Sequence, residues 1–159
     1  MPEIFSKRFE GKVALIAGGA HADENSLMGF AGLAALEIAR GGGKIMIGDI
    51  DDAAGERSVK NMRDAGLTAD YSHLDVTSES DWISVVQKTS SLHGHLDIMI
   101  MAAGINNRGE TIETVTVPKW RQVMDVTNLG MFLGVRSVAP KMRESGGGSV
   151  VLISSMMAK

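Results

Sequence analysis

The sequence predicts an α/β fold built on a single doubly wound parallel sheet, and three observations carry that prediction. Short runs rich in Val, Ile, Leu and Met alternate along the chain with stretches whose apolar residues recur at helical spacing. The short runs are almost continuously apolar, as expected of strands buried on both faces. Glycines follow the first strand-like run and close several of the helical stretches. With 159 residues, the chain fits one domain over 1–159, large enough to bury a core without disulfides or metals.

Val13-Ala14-Leu15-Ile16-Ala17 is the first predicted strand. Residues 29–40 follow as a helix, with Phe30, Ala34 and Ile38 spaced to face inward and Gly41-Gly42-Gly43 as its stop. Lys44-Ile45-Met46-Ile47-Gly48 is the second strand and ends at Asp49. Asp51 or Asp52 can cap the next helix, which turns Val59 and Met62 inward and ends at Gly66. Residues 68–74 alternate as a third strand. Ser78-Glu79-Ser80-Asp81 has the capping-box pattern ahead of a helix with Trp82, Val85, Val86 and Thr89 on its inner face, ending near Gly94. Asp97-Ile98-Met99-Ile100-Met101 is the fourth strand. Pro118 opens a long helix to about Met142 that is apolar on more than one face through Val123, Met124, Phe132, Val135 and Val138. Ser149-Val150-Val151-Leu152-Ile153 is the fifth strand.

Right-handed crossovers then give the strand order 3-2-1-4-5, with the fifth strand at an edge. A bare apolar edge invites aggregation. Either another chain pairs with it, or the natural polypeptide continues beyond Lys159; the second is the simpler expectation.

Sixteen basic against nineteen acidic residues give a net charge of −3, and no basic block is long enough to track a phosphate backbone. Nucleic acid is therefore not an expected partner. The absence of cysteine excludes a disulfide scaffold, a thiolate metal site and a cysteine nucleophile, and agrees with a cytoplasmic location. The charged start followed by a short apolar run resembles neither a secretory leader nor a membrane span. His93-Gly94-His95 lacks a third ligand in sequence and reads as a surface turn, so no metal is expected. Met99, Met101 and Met131 read as core filler, and Trp82 and Trp120 as packing of helices on the sheet.

Between the first strand and helix, Gly18, Gly19 and Ala20 leave the strand while Gly29 and Phe30 open the helix. A glycine turn at this point lets backbone N–H groups and a helix N-terminus approach a pyrophosphate. A simple tight turn would use the same residues.

Five ordered motifs carry a resemblance: Gly11-Lys12-Val13-Ala14-Leu15-Ile16-Ala17-Gly18-Gly19-Ala20, Asp49, Leu74-Asp75-Val76, Ala102-Ala103-Gly104 and Ile153-Ser154-Ser155. In this order they resemble the short-chain dehydrogenase/reductase family, whose fold is of the Rossmann type. The family's glycine loop is matched at Gly18 and Gly29. Ala17 and Ala31 stand where it has threonine and glycine, and His21-Ala22-Asp23-Glu24-Asn25-Ser26-Leu27 lengthens the loop. Asn25-Ser26-Leu27 is similar to the extended loop of the enoyl-acyl-carrier-protein reductase branch.

The resemblance implies that Asp49, with Ile50, contacts the adenosine ribose and selects NAD over NADP by repelling a 2′-phosphate. It implies that Asp75 and Val76 contact adenine, and that Ala102, Ala103 and Gly104 line the cofactor. Ser155 falls on the catalytic serine, which orients a carbonyl oxygen. The asparagine of the long helix should fall at Thr127 but stands at Asn128. The family's Tyr-x-x-x-Lys pair has no counterpart in these residues: Tyr71 lies on the third predicted strand, expected far from the site, and Lys159 has no tyrosine four residues before it. The implied protein is an NAD-dependent oxidoreductase moving a hydride between nicotinamide and a small-molecule alcohol or ketone. It would assemble as a homodimer or homotetramer through the long helix. A non-catalytic nucleotide-binding scaffold ending at residue 159 and an enoyl reductase are the alternatives.

Overall fold

The computed structural model describes residues 7–22, 29–105 and 109–154. Strands β1 (Val13–Ala17), β2 (Lys44–Asp49), β3 (Ala69–His73), β4 (Ile98–Met101) and β5 (Ser149–Leu152) alternate with helices α1 (Phe30–Arg40), α2 (Asp52–Asp64), α3 (Glu79–His93), α4 (Val117–Met124) and α5 (Gly130–Glu144). All strands run parallel in the order β3-β2-β1-β4-β5, as the sequence predicts. The chain steps outward from β1 through β2 to β3, then returns to the opposite side of β1 for β4. A crevice therefore opens where the order reverses, above the carboxyl ends of β1 and β4.

The core forms two layers because residues alternate across the sheet. Val13, Leu15 and Ala17 of β1 join Trp82, Val85, Met99, Leu133 and Val138 beneath α3 and α5. Ala14 and Ile16 join Ala31, Ala35, Ile38, Val59 and Met62 beneath α1 and α2. Side chains of all five β1 residues are inaccessible, as expected of a central parallel strand.

The predicted caps hold. Asp51 accepts a hydrogen bond from the Ala54 N–H at 2.9 Å, and Ser78 caps α3 from the Asp81 N–H. Gly94 ends α3 in the left-handed conformation at φ 89°.

Several elements depart from the sequence reading. Phe30 is 83% exposed and Leu33 is half exposed. Ala31, Ala35 and Ala39, with Gly32, face the sheet instead, because small residues let the helix lie closer. The long helix is not uniform: a π-helical turn, Asp125–Leu129, separates α4 from α5 and shifts the phase of every side chain after it. Trp120 is 52% exposed and does not pack on the sheet, whereas Trp82 is fully buried and donates its indole N–H to the Val76 carbonyl at 2.9 Å. Val150 to Ile153 are each about two-fifths exposed. No described helix is long and apolar enough to cross a membrane.

The histidines flanking the exposed Gly94 each approach a carboxylate. His93 is buried with Nε2 3.2 Å from Asp70 Oδ2, and burial lowers its titration below the ordinary histidine value despite that carboxylate. His95 lies 2.9 Å from Asp97.

Asp97 itself stands just ahead of β4 and fastens the lower rim of the sheet. Its carboxylate accepts from the Val13 N–H at 2.9 Å and from Lys12 Nζ at 3.1 Å, while its backbone bonds Val13 and Ser149. Burial works to raise its pKa, but the Val13 N–H, Lys12 and His95 outweigh that effect and hold it below 3.8. Replacing Asp97 by alanine strands the Val13 N–H and should cost about 2–3 kcal/mol in urea unfolding at pH 7. The contribution is complete above the unfolded-state pKa and lost as pH falls through the lower folded value, so the stability gap between wild type and Asp97→Ala should close in acid.

Candidate functional site

The crevice at the strand reversal begins at Gly18. This residue leaves β1 at φ +84°, a conformation open to glycine and costly for other residues. A β-carbon there would lie 2.5 Å from the Ala103 backbone nitrogen, so the β1 and β4 turns touch main chain to main chain. Gly18 N–H donates to the Gly48 carbonyl at 2.8 Å, and both Ala102 and Ala103 N–H groups donate to the Ala17 carbonyl.

Two side chains outside the turn hold its continuation. Asp49, at the end of β2, accepts from the Ala20 N–H at 3.0 Å and from the Asp51 N–H at 3.1 Å. Buried Ser58 on α2 accepts from the Ala22 N–H at 3.1 Å and donates to the Ala20 carbonyl. Gly32 completes the arrangement, since a β-carbon on it would lie 2.2 Å from the His21 carbonyl oxygen. Sequence reasoning missed Ser58 and Gly32. A serine inside one helix and a glycine inside another carry no motif, although Gly32 was visible as a helix-interior glycine that needed a reason.

A cleft of about 350 Å³ opens beside this turn. Among the residues singled out from sequence, Gly18, Asp49, Ile50, Asp75, Val76, Ala102, Ala103 and Gly104 line it. His21, Leu74, Ile105, Gln122 and Val126, which were not among the cofactor residues read from sequence, complete the wall. Gly19, Ala20, Gly29 and Phe30 are not part of this lining. Ala20 instead presents its N–H to Asp49, and the space around Gly29 is open. Thr127 and Asn128 lie in the π turn. Asn128 is exposed, with its amide 3.6 Å from the Met124 sulfur. Ser155 and residues 23–27 of the lengthened loop lie outside the described residues.

The floor of the cleft is apolar, through Leu74, Val76 and Ala102, and two carboxylates stand at its rim. Asp75 accepts the Thr77 N–H at 2.9 Å and the Thr77 hydroxyl at 2.8 Å on one oxygen. Tyr71 is closer to the rim than its position in sequence suggests. Its hydroxyl lies 2.7 Å from the Asp49 carbonyl and 2.6 Å from Asp52 Oδ1. Burial, then the hydrogen bond to Asp52, pushes the phenol far above its ordinary value, so it stays neutral at physiological pH.

A parallel sheet with its cleft at the strand reversal, glycine-turned on one side and carboxylate-rimmed on the other, defines a Rossmann-type domain. A family model for short chain dehydrogenases matches residues 12–159, and the chain belongs to that family. It is 39% identical over 151 residues to a 3-alpha-(or 20-beta)-hydroxysteroid dehydrogenase of Mycobacterium tuberculosis, covering 95% of this chain and 54% of that protein. It is 32% identical over 152 residues to the 2,5-dichloro-2,5-cyclohexadiene-1,4-diol dehydrogenase LinX of Sphingobium indicum, covering 96% of this chain and 58% of that one. The crystal structure of gox2181 superposes with a TM-score of 0.84 at 28% identity, over 96% of this chain and 57% of that chain. The chain thus spans about half the length of the curated relatives it matches.

Gly18→Ala combines left-handed strain with the clash on Ala103 and should lose about 2–4 kcal/mol of unfolding free energy. Gly104→Ala is the control: it is exposed with nothing within 4 Å of a new β-carbon, and should change stability by less than about 0.5 kcal/mol.

Proposed function

We propose that this chain is the nucleotide-binding part of an NAD-dependent oxidoreductase that interconverts a secondary alcohol and a ketone. The observation that carries the reading is the pairing of Asp49 and Asp75 across one apolar cleft beside the Gly18 turn. That arrangement suits a dinucleotide: flat apolar walls for adenine, carboxylates to accept hydroxyl and amino hydrogens, and close-packed backbone where bulk would interfere. Asp49 would accept the ribose hydroxyls, Asp75 and Val76 would bound the adenine, and Ile50 with Ala102 to Gly104 would line the remainder. The bound nicotinamide would supply hydride exchange with a carbonyl carbon.

Ser155 is proposed to orient the carbonyl oxygen, with Thr127 or Asn128 contributing polar groups from the long helix. Tyr71 does not fit the role of proton donor, because its proton is held against Asp52. The family's tyrosine–lysine pair is therefore proposed to lie in polypeptide beyond these residues, within a single nucleotide-binding domain that continues past Lys159. The names of the two relatives, acting on a hydroxysteroid and a cyclohexadienediol, support an alcohol carried on an alicyclic skeleton. A cytoplasmic location agrees with the absence of cysteine.

Asp49 is expected to discriminate against a 2′-phosphate. Calorimetric titration of the complete polypeptide should give tighter binding of NAD(H) than of NADP(H), with the gap narrowed by Asp49→Ala. Turnover with a panel of alicyclic secondary alcohols checks the reaction class. Equal or tighter NADP(H) binding overturns the NAD assignment.

Association is proposed through the long helix, where Val117, Trp120 and Phe132 are each more than half exposed. An apolar surface of this kind is expected to be covered in an oligomer. Sedimentation of the complete polypeptide at micromolar concentration should show a dimer or tetramer, and Phe132→Glu should shift it toward monomer.

A further inference from the structure

The adenosine end of the cleft has two rims, one at the end of β2 and one at the end of β3, and each rim runs into the first turn of a helix. His73 stands between them. It is the last residue of β3 and pairs in register with Asp49, the last residue of β2. Its Nδ1 lies 2.8 Å from Asp52 Oδ1 in the first turn of α2. Its Nε2 lies 3.9 Å from Asp81 Oδ2 in the first turn of α3. Those two carboxylates are themselves tied to the rims. Asp52 takes the Tyr71 hydroxyl, which also touches the Asp49 carbonyl, and Asp81 Oδ2 accepts the Asp75 N–H at 3.0 Å.

We propose that His73 is a positioning residue: its imidazolium, set between Asp52 and Asp81, clips the Asp49 rim to the Asp75 rim and so sets the affinity of the cleft for the adenosine part of a dinucleotide. The proposal rests on the reading of the cleft as a dinucleotide site.

The chemistry of the ring decides the sign. Only the doubly protonated imidazole donates to Asp52 while also presenting a positive charge and an N–H toward Asp81 at 3.9 Å; the neutral ring can keep the Asp52 bond but loses the charge that attracts Asp81. The groups facing it are Asp52 from α2, Asp81 from α3 and Asp75 from the turn after β3, all acidic, with the Tyr71 hydroxyl sharing Asp52. The hydrogen bond to Asp52 raises the histidine's titration above 6.5, burial opposes it, and the charges of Asp52, Asp81 and Asp75 add to the rise. The clip is therefore complete below the ordinary histidine value and opens as pH rises through the elevated one. His73 is half exposed, so the effect is modest.

Titrating the complete polypeptide with NAD(H) between pH 6 and pH 9 should show affinity falling about two- to fivefold with rising pH. His73→Gln should bind at the weak end throughout, with a flat profile. His73→Arg, which keeps two donors and the charge, should bind at the tight end throughout. A His73→Gln protein that retains the wild-type pH profile overturns the proposal. Amide exchange on the unliganded protein reads the clip without cofactor: the Asp75 N–H should be better protected at pH 6 in wild type than in His73→Gln. Equal protection overturns the clip. Failure to bind any dinucleotide while that protection difference persists overturns the reading of the cleft and leaves the clip supported.

Discussion

The main-chain contact between Gly18 and Ala103 is the constraint on which the site depends. Adjacent parallel strands diverge above their carboxyl ends, and the crevice at the reversal stays narrow only if their turns meet without side chains between them. Gly18 meets that demand in two ways, through its positive φ and through the missing β-carbon. The consequence extends along the chain, because once Gly18 turns, Ala20 is carried toward Asp49 and Ala22 toward Ser58. α1 can then approach the turn at Gly32. Glycine at the turn and small residues on the inner face of α1 are thus parts of one packing solution.

On the proposed reading of the cleft, Asp49 would be a structural group and a recognition group in one side chain. Two backbone N–H groups fix its carboxylate, one from the glycine turn and one from the start of α2, so little entropy remains to be lost when a ligand hydroxyl arrives. Each oxygen accepts one of these two bonds. The same bonds lock the glycine turn to β2, which makes the geometry of the turn and the placement of the charge interdependent. Asp75 is fixed similarly through Thr77.

Much of this was legible in the residues. The strand order followed from alternation and crossover handedness, and Asp51, Ser78 and Gly94 announced helix ends because capping chemistry is local. Eight of the residues singled out for a cofactor line one cleft, since each occupies a strand end and strand ends converge. What was not legible depends on three-dimensional registration. The inner face of α1 follows Ala31, Ala35 and Ala39 rather than Phe30, because closeness of approach outweighed side-chain hydrophobicity. The π turn has no sequence signature, and it changes which faces Thr127 and Asn128 present. Tyr71 looked remote because β3 is two strands from β1, yet the upper end of β3, with Tyr71 and His73, stands beside Asp49 and Asp52.

Tyr71 also shows that holding the rim of the cleft and transferring a proton make opposite demands on a phenol. A phenol serves as acid and base when its pKa is brought toward the working pH, which requires a neighbouring cation and a partner able to exchange the proton. Tyr71 has the opposite surroundings. Its ring fills the space where a β-carbon on Gly55 would lie, 2.1 Å from the nearest ring atom, and Asp52 and Asp49 oppose a second negative charge. The hydroxyl therefore ties β3 to the end of β2 and the start of α2, and keeps its proton. Evolving this tyrosine into a proton donor would require opening the α2–β3 contact and removing Asp52, and both changes would loosen the rim that carries Asp49. The physical demands on the two tasks conflict at this position, and the surroundings of Tyr71 suit it to holding the rim rather than to exchanging a proton.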